Sequence, residues 1–323
     1  MTMYDKRRTD FFPPVHAALL LLLAIVCVRP MLSWLYGVLF PSGIGENLYY
    51  MISALQEINL FALPAIWMLF VRYPTSHLSV RTAKLRASEA VSFSLAAILG
   101  VFVFSYLSNL WMLLLQRLGV PLTLSSVPAP SGPVQFLSSV LAIATLPAMC
   151  EELFFRGFVF SAFEEGGTRR ALLWSALLFA LMHGQLTALP VHLILGFLFG
   201  YMAIYMHSIY APMLYHAFHN GASLLATYLL SQGAQAEAEA DAVVSLSQTL
   251  SLLPSMLFLL FLWLLLIVLP LRARYQDLKG RFDFYLVPTQ TAPRPVHERC
   301  LLAAAVALLV ATYIFNTWGG LFL

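Results

Sequence analysis

The feature that most constrains this chain is the recurrence of apolar runs about as long as a bilayer is thick. A helix crosses hydrocarbon with about 20 mostly apolar residues, at a rise of about 1.5 Å each. Such runs occur at 15–40, 48–71, 90–115, 134–163, 170–184, 187–206, 210–231, 249–271 and 300–323. The polar stretches between them, chiefly 72–89, 116–133, 232–248 and 272–299, are too short for a separate soluble domain. The chain is 60% hydrophobic and only 10% charged, whereas soluble domains carry about 25% charged residues. The expected fold class is therefore all-α: a polytopic transmembrane helix bundle of eight or nine spans.

Charge placement orients such a bundle, because Lys and Arg collect in cytoplasmic loops. With the N-terminus inside, fifteen basic residues fall on inner segments and only Arg117 outside. The acidic stretch "AQAEAEADA" (234–242) then lies outside. Lys6, Arg7 and Arg8 precede an apolar run, as in a signal peptide, but no small-x-small cleavage site follows before Arg29-Pro30. The run reads as a retained first helix. The expected location is multi-pass in a bacterial inner membrane, with the N-terminus cytoplasmic. The net charge of +3 is small and scattered over loops, which argues against nucleic acid as a partner. Cys27, Cys150 and Cys300 are far apart and form no CxxC pair, so neither a zinc site nor a disulfide framework is indicated.

Against this background the polar residues inside the spans stand out, since each charge at bilayer depth costs a few kcal/mol. They are Arg29, Glu57, the group Glu151, Glu152 and Arg156, His183, and the group His216, His219 and Asn220. Counted from the inner ends of their spans, Glu151 lies about 18 Å deep, His183 about 20 Å, Asn220 about 16 Å and His216 about 10 Å. Three spans thus bring polar groups to one band, as expected for a buried polar chamber opening toward the cytoplasmic side. Glu152 and Arg156 are four apart, so they share a face and can pair. Glu151 lies about 100° round the helix and is left to face elsewhere. His216 and Asn220 also share a face, which His219 only partly joins. The run carrying His183 covers about 21 Å, less than the hydrocarbon core. Residues 184–190 are then irregular backbone within the membrane, which is tolerated only against protein or a wet cavity. Arg29 and Glu57 fall at matched depth and are expected to pair as a structural bond. His192 and His207 are expected at the interface, and Trp34, Trp67, Trp111 and Tyr210 as ordinary interface or packing aromatics.

The pattern EExxxR (Glu151, Glu152, Arg156), FxxxH (Phe179, His183) and HxxxN (His216, Asn220) resembles the CAAX protease and bacteriocin-processing family of glutamic intramembrane endopeptidases, similar to type II CAAX prenyl endopeptidases. The resemblance covers residues 151–220. It implies a metal-independent endopeptidase without a cofactor, acting on peptide or protein substrates, lipidated ones included, among membrane lipids. It implies that Glu151, assisted by His183, activates water, that His216 and Asn220 hold the oxyanion, and that Glu152 and Arg156 form a supporting pair. Residues 134–231 would be the catalytic core, flanked by N-terminal helices in 1–133 and C-terminal helices in 232–323, with a basic cytoplasmic loop at 272–299.

Other readings remain open at this point. Glu and His together can ligate zinc, but HExxH is absent and the Arg156 charge is a poor neighbour for a cation. Cys150 adjoins Glu151, yet a small buried hydrophobe is the simpler reading than a thiol nucleophile. A non-catalytic immunity or scaffold protein could bind a peptide at the same residues. A proton-relaying transporter would show inverted repeats, and none is evident.

Overall fold

The computed structural model describes residues 13–40, 43–73, 80–122, 127–164, 166–233, 245–278 and 296–318. Nine long helices account for most of them: α1 (Pro14–Leu39), α2 (Glu46–Arg72), α3 (Ala87–Arg117), α4 (Pro133–Glu164), α5 (Thr168–Met182), α6 (Leu189–Tyr205), α7 (Tyr210–Gly233), α8 (Leu253–Leu278) and α9 (Val296–Trp318). Among the described residues there is no sheet, only a single bridge between Thr82 and Ser208. The chain is a polytopic helical bundle and an integral membrane protein. Among the described residues seven helices are long and apolar enough to cross a membrane; α5 and α7 do not meet both conditions. α5 leads into His183 and α7 carries His216, while Glu151, Glu152 and Arg156 sit on α4, which does meet both conditions.

α4 lies at the centre, packed on α2 and α7, while α3 packs on α7 and α8, α5 on α6, and α9 on α1 and α5. In lipid, helix association rests on close packing rather than on release of water. The second half of α4 is buried all round through Phe154, Phe155, Phe158, Phe160 and Phe163. Phe61 of α2 meets Phe154 edge-on at 5.4 Å between ring centroids. Helices α5 and α6 approach backbone to backbone at "GFLFG": a Cβ on Gly196 would lie 2.8 Å from the carbonyl oxygen of Ala176, and one on Gly200 would collide with Leu172. Small residues four apart permit that approach. Gly100 of α3 likewise leaves room for the Tyr215 hydroxyl, which accepts the Trp263 indole N–H at 2.8 Å and joins α3, α7 and α8.

Two helices are not regular. α2 contains π-helical turns at Ile58–Ala62 and Trp67–Arg72, and α4 contains them at Val140–Thr145 and Leu153–Val159. Pro64 and Pro147 follow the first π turn of each helix. A proline has no N–H, and its ring crowds the carbonyl four residues back; a wider turn just before it relieves both. The Thr145 hydroxyl donates to the carbonyl of Val140 at 3.1 Å, closing that wider turn. Each π turn re-phases the side chains beyond it, and Glu151 and Glu152 lie between the two π turns of α4.

At the end of the bundle where α2 leads into α3, the basic residues are paired. Arg81 binds both carboxylate oxygens of Glu164 at 2.7 and 2.8 Å. Arg86 meets Asp277 at 2.6 Å, and Arg274 lies 3.7 Å from Glu89. The backbone there is tied by Ile209 N–H to Arg81 O at 2.7 Å and Ala83 N–H to His207 O at 3.0 Å.

Candidate active site

Glu151 and Glu152 end the α-helical stretch of α4, and Arg156 sits within the π turns that follow. The expected Glu152–Arg156 pair forms, Nη1 to Oε1 at 3.1 Å, with both side chains fully buried. A third partner joins it: the same Oε1 lies 3.1 Å from Nδ1 of His216 on α7. Arg156 Nη2 donates to the Gly196 carbonyl at 3.0 Å, and its guanidinium lies 4.4 Å from the ring centre of Phe179 and 5.2 Å from that of Phe199. One buried cation thus ties α4 to α5, α6 and α7.

Glu151 takes the other direction, as its position round the helix requires. Its Oε2 lies 3.9 Å from Nε2 of His183. That exceeds hydrogen-bonding distance, and Glu151 Oε2 is buried without a hydrogen-bond partner among the described residues. His183 Nδ1 lies 2.9 Å from the Phe179 carbonyl. A carbonyl only accepts, so Nδ1 carries the proton and Nε2 presents its lone pair. The His183 side chain is 24% exposed, whereas Glu152 and Arg156 are closed off. Of the two glutamates, only Glu151 stands beside an accessible partner.

α5 ends at Met182, and Gly184 turns the chain with φ of +65°, a left-handed conformation that glycine adopts without steric cost. The backbone is irregular there before a single 3₁₀ turn at Leu186–Ala188, but the irregular stretch is shorter than the expected 184–190, since α6 begins at Leu189. Protein groups satisfy its carbonyls. The Tyr313 hydroxyl donates to Ala180 O at 2.7 Å, the Asn316 amide to Gly184 O at 2.9 Å, and the Trp111 indole to Leu186 O at 2.8 Å. α9 and α3 therefore hold the turn that carries His183, a role beyond the packing expected of Trp111.

Asn220 lies one turn after His216, half-buried, and forms no side-chain hydrogen bond among the described residues. His219 turns away: its Nδ1 meets the Ala97 carbonyl of α3 at 3.2 Å. Cys150 is buried and unpaired. Arg29 and Glu57 pair as expected, at 3.7 Å. His192, expected at an interface, stacks its ring on that of His183 with centroids 3.9 Å apart. A histidine in the first turn of a helix, just after an irregular segment, was the available signal. Among the described residues no three His, Cys, Asp or Glu side chains are arranged to hold a metal ion.

No curated protein and no solved structure matches the chain. One family model does, and the family is one of membrane proteases acting on peptide or protein substrates. The segment that builds this site, residues 133–222, matches the model described as Type II CAAX prenyl endopeptidase Rce1-like.

Proposed function

We propose that the protein is a glutamic-type intramembrane endopeptidase. The observation that carries this reading is the convergence of Glu151 and His183, from two helices, at 3.9 Å. A water between them meets two acceptors, the Glu151 carboxylate and the Nε2 lone pair of His183. Its oxygen attacks the scissile carbonyl carbon as Glu151 takes its proton. The carbonyl oxygen becomes an oxyanion, and Asn220 and His216 are the donors placed on one face of α7 to receive it. His216 donates its Nδ1 proton to Glu152, so Nε2 donates only if the ring carries a second proton. As the C–N bond breaks, the proton on Glu151 passes to the leaving nitrogen, giving a free carboxyl end and an amine.

The substrate we propose is a peptide bond near a lipid-modified C-terminus, reached from the cytoplasmic face; the description of the matched family model supports this reading. The N-terminus inside and a bacterial inner membrane complete the reading. The test uses full-length protein in lipid nanodiscs with prenylated and unprenylated C-terminal peptides, read by mass spectrometry. Cleavage is expected with wild type and should persist after dialysis against a chelator. Glu151→Gln and His183→Ala should each lower kcat/KM by about a hundredfold or more. Undiminished cleavage by folded variants removes the mechanism. Peptide binding without cleavage by wild type points instead to a non-catalytic scaffold.

A further inference from the structure

His192 lies outside all three motifs, yet its ring is the nearest parallel neighbour of His183, at 3.9 Å between centroids and 25° between planes. Phe179 also meets the His183 ring, edge-on at 4.7 Å. The two contacts matter because His183 stands at the end of α5, followed at once by irregular backbone. Its Nδ1 bond to the Phe179 carbonyl fixes one atom. A single hydrogen bond leaves the ring a path to swing, and a flat ring stacked on its face closes that path. His192 is itself well anchored, two residues after Pro190 in the first turn of α6.

The Nδ1 atom of His192 is buried and has no hydrogen-bond partner among the described residues, so no bond of its own competes with the stack.

We propose that His192 is a positioning residue for His183: its stacked ring holds the His183 imidazole in the plane that keeps Nε2 directed at Glu151. The inference rests on the endopeptidase reading for its kinetic consequence but not for its structural one. His192→Phe keeps a flat ring and removes the nitrogens, whereas His192→Ala removes the stack.

The experiment pairs kinetics with nitrogen-15 spectra of histidine-labelled full-length protein in nanodiscs, in which Nδ1–H and Nε2–H tautomers are distinct. The His183 signals are assigned by their loss in His183→Gln. Wild type should show His183 as one Nδ1–H tautomer. His192→Ala should show a tautomer mixture and a kcat lower by about tenfold, with KM changed less than about twofold. His192→Phe should keep the single tautomer and about half of kcat or more. A His183 signal unchanged in His192→Ala overturns the proposal, as does an equal loss in both variants. The spectra are readable in a protein that cleaves nothing. A wild type without cleavage but with the expected tautomer response therefore sinks the peptidase reading alone.

Discussion

The side-chain amide of Asn316 donates to the carbonyl of Gly184 at 2.9 Å, joining positions 132 residues apart. Through this bond the last described helix holds the turn next to His183. Asn316→Leu leaves the Gly184 carbonyl without its donor inside the bundle, a loss of about 1–3 kcal/mol. Asn316→Asp should behave alike, because a carboxylate cannot donate. Both should lower the melting temperature in detergent and reduce turnover, whereas Tyr313→Phe, which removes the bond to Ala180, should cost about 1 kcal/mol. Thermal unfolding followed by tryptophan fluorescence measures the series. A melting temperature unchanged in both Asn316 variants would remove the brace.

The buried Glu152–Arg156–His216 group should respond asymmetrically to single and paired changes. Replacing Arg156 by Met strands the Glu152 charge, and breaking a buried pair costs about 3–5 kcal/mol. Replacing Glu152 by Gln strands Arg156 in turn. The double variant Glu152→Gln, Arg156→Met leaves no uncompensated charge and should regain much of the folded yield. It should not regain activity, since the carboxylate facing His216 is gone. Size-exclusion yield and specific activity, measured together, separate the two effects. Recovery of activity in the double variant would place this group outside the chemistry.

Much of this arrangement is legible in sequence for one physical reason. Charges inside apolar runs are costly, so each one marks a contact. Glu152 and Arg156 pair because helical spacing puts them on one face, and the brevity of α5 follows from counting residues against bilayer thickness. Helix periodicity fails where the helix is not regular: the π turns at Val140–Thr145 and Leu153–Val159 re-aim the side chains beyond them, which no straight wheel anticipates. The stacking of His192 on His183 and the bonds from Tyr313, Asn316 and Trp111 are tertiary. Their sequence separations carry no signal, and the residues themselves look like ordinary packing or interface aromatics and polar helix residues.

His207 should give the end of the bundle where α2 leads into α3 a pH response. It adopts φ of +48° beside the pairing of Arg81 and Ala83 with residues 207–209. Burial, and then the nearby Arg81 charge, lower its pKa below the ordinary histidine value. The paired state therefore binds a proton less readily than the opened state. Pairing is at full strength above about pH 6.5, and is lost progressively as the pH falls below it. Hydrogen exchange at the Ala83 and Ile209 amides should quicken on acidification, once corrected for intrinsic rates. His207→Asn, which tolerates positive φ, should flatten that dependence. An equal pH response in the variant would exclude His207 as its source.

The glycines of α6 allow a sharper comparison. A Cβ at Gly200 would run into the end of Leu172, while one at Gly196 would lie 2.8 Å from the carbonyl oxygen and 3.0 Å from the Cα of Ala176. Leucine can change rotamer, but a helix backbone can yield only by moving the whole helix. Gly196→Ala should therefore be the more damaging change, at about 1–3 kcal/mol, with Gly200→Ala below it. The Gly196 change also shifts the carbonyl that receives Arg156, so it should lower activity per folded molecule as well as the melting temperature. Gly200→Ala should lower only the melting temperature. Melting curves and active-fraction assays on the two variants decide the matter, and a Gly200→Ala protein that melts below Gly196→Ala would show that the α5–α6 approach is governed at Leu172 rather than at the backbone.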